Sequence, residues 1–151
     1  MQIKSLLTLS RTRCGAESNS KKRALEIVAN VISEDNPDFD PNEIFISLTA
    51  RERLGSTGLG NGIAIPHCRI KNCSSVNGVL IKLEKPIDYE AIDEQPVDLM
   101  FALIVPEEAH EQHLQILAGL AEKFTQKSYL NCLRQAQNDE ELFKAAITKL
   151  N

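Results

Sequence analysis

Leu54-Gly55-Ser56-Thr57-Gly58-Leu59-Gly60-Asn61-Gly62-Ile63-Ala64-Ile65-Pro66-His67 is the stretch on which the fold turns. Four of the chain's seven glycines, Gly55, Gly58, Gly60 and Gly62, fall in this window. Glycine brings no side chain to pack and is costly to order, so such a cluster belongs where backbone bends tightly or approaches a ligand. The apolar run Ile63-Ala64-Ile65 reads as a buried strand. Pro66 ends it by removing a ladder donor and fixing φ. His67 then stands just past a strand, on stiff backbone, beside a loop rich in N–H groups. That is a place for a nucleophilic imidazole and an anion.

The rest of the chain supplies a sheet and helices around this stretch. Residues 1–19 read as a short helical turn followed by a loop or short strand. Ser20 caps a helix to about Ser33, with Ala24, Leu25, Ile27, Val28, Val31 and Ile32 at helical spacing. Asp40, Pro41 and Glu43 open the next helix as cap, first-turn proline and capping-box acid. Ile44, Phe45 and Leu48 form its apolar face, and it ends at Gly55 with Arg51, Glu52 and Arg53 in its last turn. Lys71 to Asn77 reads as a loop. Val79, Ile81 and Leu83 mark a strand with one partly wet face. Residues 97–105 are nearly all apolar and read as a central strand stopped by Pro106. Glu107 starts a long helix with Leu114, Leu117, Ala121 and Phe124 inward. A short helix at 129–133 and a terminal one capped at Asn138, with Leu142, Phe143, Ala146 and Leu150 inward, complete the chain. The pattern predicts one α/β domain over residues 1–151, its sheet flanked by helices.

Bulk properties narrow the function. A formal net charge of −4 and a pI near 5.4 argue against broad binding to nucleic acid or anionic membrane, which needs a basic surface. No apolar run approaches the ~20 residues that span a bilayer, and the N-terminus lacks a signal core, so a cytoplasmic protein is expected. Cys14, Cys68, Cys73 and Cys132 are then free thiols.

His67 carries the chemistry. A neutral imidazole is a competent nucleophile, and its attack on a phosphoryl group gives a phosphohistidine. Catalysis of such transfer is positioning and charge stabilisation. Backbone N–H groups of the loop, with the hydroxyls of Ser56 and Thr57 and the glycines Gly58, Gly60 and Gly62, are candidates to cradle the phosphate. His113, early in the helix after the central strand, is the candidate to orient His67 or steady the phosphoryl group. Arg51 delivers a planar donor fork into the loop. Each has a plain alternative. His67 can be a turn residue after proline, His113 a boundary residue against Ile116 and Leu117, and Arg51 a surface charge paired with Glu52 or Glu111. His110 reads as a solvated residue near the helix start. Arg53 and Arg69 share Arg51's ambiguity. The loop lacks the Gly-Lys-Ser/Thr of a Walker loop, and it precedes a strand, unlike a dinucleotide fingerprint. His67, Cys68, Cys73 and His113 form a weak zinc pattern; no metal and no cofactor are expected.

The string Gly55 to His67 resembles the phosphorylation-site signature of the fructose/mannitol-type IIA domains of the bacterial phosphotransferase system. The likeness extends through residues 20–27, Arg51-Glu52-Arg53, residues 91–99, His113-Leu114 and residues 139–142. It is nearest to the nitrogen-regulatory (IIA-Ntr) branch. The resemblance implies an α/β domain with a mixed, mostly five-stranded sheet. It implies that His67 accepts a phosphoryl group from an HPr-like carrier, NPr, with His113 and Arg51 as the matching second histidine and loop-entry arginine. It further implies signalling to regulatory protein targets in nitrogen and potassium control. Cys68 stands where the family usually has glycine. Two other readings stay open: a sugar-pathway IIA that hands phosphate to a IIB domain, and a binding module in which phosphorylation plays no part. A homodimer is compatible with either.

Overall fold

The computed structural model describes residues 2–148, without the side chains of His110 and Gln112. Two 3-10 turns, Ile3–Ser5 and Leu9–Arg11, lead into β1 (Thr12–Ala16). The helices α1 (Lys21–Asp35) and α2 (Pro41–Arg53) follow, then the short strands β2 (Gly58–Gly60), β3 (Ile63–Ala64) and β4 (His67–Ile70). The long strands β5 (Asn77–Ile87) and β6 (Val97–Pro106) come next, and α3 (His110–Lys123), α4 (Lys127–Gln135) and α5 (Asp139–Ile147) close the chain.

The helix starts follow their capping chemistry. Ser20 accepts from Arg23 N, Asp40 from Asn42 N and Asn138 from Glu141 N, so each first turn has a side-chain partner for an orphan amide. By contrast α3 begins at His110, not at Glu107, because Glu107 and Glu108 form a turn that returns Ala109 N to Pro106 O.

The sheet is mixed, as expected. Its order is β1-β5-β6-β3-β2, with β4 also paired to β6. β1 runs parallel to β5, β5 antiparallel to β6, and β3 and β4 both parallel to β6. Six strands stand where five were expected, but β3 and β4 lie in one row. Ile63 faces Leu99 and His67 faces Leu103, so the register does not slip across Ile65-Pro66. Pro66 cannot donate, yet its carbonyl still accepts from Leu103 N at 2.9 Å. His67 therefore opens a continuation of the strand; it does not follow its end.

Alternation along β6 builds two cores. Val97, Met100, Ala102 and Ile104 face α1 and α2, while Leu99, Phe101, Leu103 and Val105 face α3, α4 and α5. In α3 the buried stripe is His113, Ile116 and Leu120, continued by the capping residue Phe124. Leu114, expected inward, is 63 % exposed because His113 takes the sheet-facing position beside it. Leu142 and Ala146 of α5 are buried as expected, and Leu150 lies outside the described residues. No helix among the described residues is long and apolar enough to cross a membrane.

Candidate active site

The glycine-rich stretch is half loop and half hairpin. β2 pairs antiparallel with β3, and Asn61-Gly62 joins them with φ of 57° and 81°. Two central residues at positive φ are what a two-residue hairpin turn demands, and Asn-Gly is the pair that adopts it most readily. Arg134 of α4 locks this turn. Its Nε and Nη2 donate to the two oxygens of Asp98 at 3.0 and 2.9 Å, and Nη2 also donates to Asn61 O.

The other half of the stretch is held from α2. Ile44, Leu48 and Glu52 share its buried stripe at successive helical turns. Glu52 accepts from Thr57 N at 3.1 Å, bonds the Thr57 hydroxyl through Oε2, and pairs with Lys21 Nζ at 3.0 Å. Lys21 also sits over the buried Tyr89 ring, whose hydroxyl is 3.3 Å from Thr57 Oγ1. Glu52 thus binds the loop from below and is not Arg51's partner.

Arg51 is left free to point at His67. Its Nε donates to His67 Nε2 at 3.1 Å and its Nη1 to Gly55 O at 2.9 Å. The other ring nitrogen, Nδ1, is 2.8 Å from Ile65 O. A carbonyl only accepts, so Nδ1 carries the proton and Nε2 presents its lone pair to the guanidinium. The neutral ring is further favoured because burial, and then the charges of Arg51 and Arg69, lower its pKa against the opposing pull of Ile65 O and Glu52.

His113 comes to the same place from α3. Its ring centroid is 5.2 Å from that of His67, with the planes 51° apart. Alternation along β4 explains the meeting: Cys68 and Ile70 turn into the α1/α2 core, so His67 turns to the α3 face. His113 is buried, and its Nδ1 has no hydrogen-bond partner among the described residues. Burial first, then the nearby His67, Arg69 and Arg51, push its pKa down to about 4. Both imidazoles are therefore held toward the neutral form.

The structure thus brings His67, His113 and Arg51 together. It places the cradle candidates differently. Ser56 Oγ donates to Tyr89 O and accepts from Gly58 N. Thr57 is buried with both its donors on Glu52. A Cβ at Gly58 would meet Ala91, one at Gly60 would meet Asp93, and one at Gly62 would meet Arg134 and Asp98. Cys68 and Cys73 are buried in the α1/α2 core, and no group of three metal-binding side chains occurs among the described residues. The sequence reading assigned Glu52, Lys21 and Tyr89 no role at the loop. The signal for Glu52 was its place one turn beyond Ile44 and Leu48 on the apolar stripe.

Comparison with known proteins gives a consistent picture. Residues 5–149 match the family described as phosphoenolpyruvate-dependent sugar phosphotransferase system, EIIA 2. The chain is 42% identical to the nitrogen regulatory protein of Pseudomonas aeruginosa, covering 100% of this chain and 98% of that one. It is also 42% identical to the nitrogen regulatory protein of Escherichia coli, over 95% of this chain and 88% of that one. The crystal structure of nitrogen regulatory protein IIA-Ntr from Neisseria meningitidis superposes with a TM-score of 0.84 at 38% identity, covering 97% of this chain and 99% of that one. The mannitol IIA of Escherichia coli shares the fold, with a TM-score of 0.75 at 16% identity over 92% and 97% of the two chains.

Proposed function

The chain belongs to the EIIA 2 family of the phosphoenolpyruvate-dependent sugar phosphotransferase system, and we propose that it is a regulatory phosphocarrier of the nitrogen-regulatory kind. In this reading residues 1–151 act as one IIA unit in the cytoplasm. His67 takes a phosphoryl group from the phosphohistidine of an HPr-like carrier, NPr. The phosphorylation state then decides which regulatory targets the protein engages in nitrogen and potassium control.

The observation that carries the reading is the tautomer of His67. Its Nδ1–H is tied to Ile65 O, so Nε2 is the unprotonated nitrogen, with its lone pair accepting from Arg51. As Nε2 attacks phosphorus, the P–N bond to the carrier breaks and the carrier's imidazole leaves with the electron pair. The His67 ring becomes positive while it keeps its Nδ1 proton, and Ile65 O stabilises that charge. Arg51 moves from the lone pair to the incoming phosphoryl oxygens, where its fork suits them. His113 donates from its own ring to the same oxygens, a role supported by its Nδ1 having no hydrogen-bond partner among the described residues. Adding about two negative charges at this rim changes the surface that targets meet. No nucleic acid, metal or membrane enters the scheme.

The test is incubation with enzyme I, NPr and phosphoenolpyruvate, followed by mass mapping. The expected product is a single acid-labile phosphoryl group on the peptide that contains His67. An unmodified mass, with enzyme I and NPr shown to be active on each other, overturns the proposal.

A further inference from the structure

A continuous run of hydrogen bonds leads from α1 to the imidazole of His67. Lys21 Nζ lies 3.0 Å from Glu52 Oε1, with the two side chains only 18% and 4% exposed. Thr57 N donates to that same oxygen at 3.1 Å, and the Thr57 hydroxyl bonds the other. Thr57 O accepts from Ile65 N at 3.0 Å, and Ile65 O accepts from His67 Nδ1 at 2.8 Å. A buried carboxylate is expensive unless every lone pair is used, and an apolar residue would complete the α2 stripe at lower cost. Here the donors that compensate Glu52 come from Lys21 and from the loop that reaches His67.

Adjacent residues of one helical turn thus address both ring nitrogens. Arg51 meets Nε2 directly, and Glu52 reaches Nδ1 through the backbone of two residues, Thr57 and Ile65. We infer that Glu52 is a positioning residue: by fixing Thr57, and through it Ile65, it holds His67 in the tautomer and orientation that aim Nε2 outward. The inference rests on the reading of His67 as the phosphoryl acceptor. When Thr57 is released, Ile65 N loses its acceptor and Ile65 O is no longer aimed at Nδ1–H. The ring can then carry its proton on Nε2, where it is not nucleophilic and faces the Arg51 donor.

The test is Glu52→Gln in the full chain, which keeps the shape and removes the charge. Two quantities are read. The first is the tautomer of His67, from the 15N shifts of its ring nitrogens above the pH range of its titration. The second is the rate of phosphoryl uptake from phosphorylated NPr, resolved into kcat and the KM for NPr. The wild type is expected to hold its proton on Nδ1. The variant is expected to show a mixed tautomer and a kcat lower by roughly tenfold to hundredfold, the scale of a misplaced reacting group. Its KM should stay within about twofold, since the docking surface is untouched. A folded Glu52→Gln with wild-type tautomer overturns the inference, whether its rate is unchanged or its KM alone rises. Should Glu52→Gln not fold, Lys21→Met, which strips the charge partner of Glu52, is judged by the same two readings. A wild type that takes no phosphoryl group, together with a shifted tautomer in the variant, supports the positioning role and overturns the phosphocarrier reading.

Discussion

Arg51 Nε and His67 Nε2 are 3.1 Å apart across sixteen residues of sequence, and the guanidinium covers the one lone pair the imidazole has to offer. In the proposed scheme the resting site is thus closed by the same group that is to grip the phosphate. The arginine also helps to keep the ring neutral, because a cation beside it opposes protonation.

Replacing Arg51 separates these two effects. Arg51→Ala should slow phosphoryl uptake by about 10²- to 10³-fold, the usual loss for one donor aimed at developing charge. It should also raise the His67 pKa, without restoring it fully, since burial is the larger cause of the depression. An NMR titration of the His67 ring alongside the transfer assay checks both. Arg51→Lys should recover only part of the rate, because an ammonium cannot present a planar fork.

The buried His113 makes stability depend on pH. Its pKa is about 4 in the folded chain against 6.5 for the ordinary ring. Between those values the unfolded chain binds the extra proton, so stability falls as pH drops through this window and levels off below about 4. His67 is depressed in the same direction and adds to the slope. Thermal melts of wild type and His113→Gln over pH 7 to 4 should converge as the pH falls, with the variant showing the shallower loss.

Gly62 is the most constrained position of the hairpin. Its φ is +81°, and a Cβ there would stand 2.5 Å from Arg134 Nη2 and 2.8 Å from Asp98 Oδ1. Gly62→Ala should cost about 2 kcal/mol or more, from left-handed strain and displacement of the ion pair. Arg134→Met should cost about 1 kcal/mol, since the pair it breaks is partly exposed. Each kcal/mol should lower Tm by about 2–4 °C in a chain of this size, which differential scanning calorimetry resolves.

Much of this arrangement was legible in the glycine-to-histidine stretch. The burst of glycine, the apolar triplet and the proline placed a turn, a strand and a rigid histidine in the right order. The central strand at 97–105 and the caps at Ser20, Asp40 and Asn138 followed from side-chain pattern alone. β4 did not. His67-Cys68-Arg69-Ile70 is too short and too polar to announce a strand, and its register is set by β6, not by its own composition. The strand identity of Gly58–Gly60 was masked by its glycines, although Asn61-Gly62 is itself a hairpin signal. Glu52 was hidden by its neighbour. A carboxylate beside an arginine suggests a local pair, and only the helical period shows that the two point apart.

Cys68 is explained by where it sits. The backbone there is not in the left-handed region, so nothing in the chain conformation requires glycine, and the side chain fills the α1/α2 core. Cys68→Gly should destabilise by about 1–3 kcal/mol through lost packing and added chain entropy. Phosphoryl uptake at His67 should be unchanged. Chemical denaturation and the transfer assay on the same preparation check the two halves.

The central claim is that Nε2 of His67 receives the phosphoryl group, and the most direct measurement is 15N–31P correlation on the phosphorylated, histidine-labelled protein. The expected result is phosphorus bonded to Nε2 of His67, with the proton retained on Nδ1. Phosphorus found on Nδ1 of His67, or on His113, contradicts it.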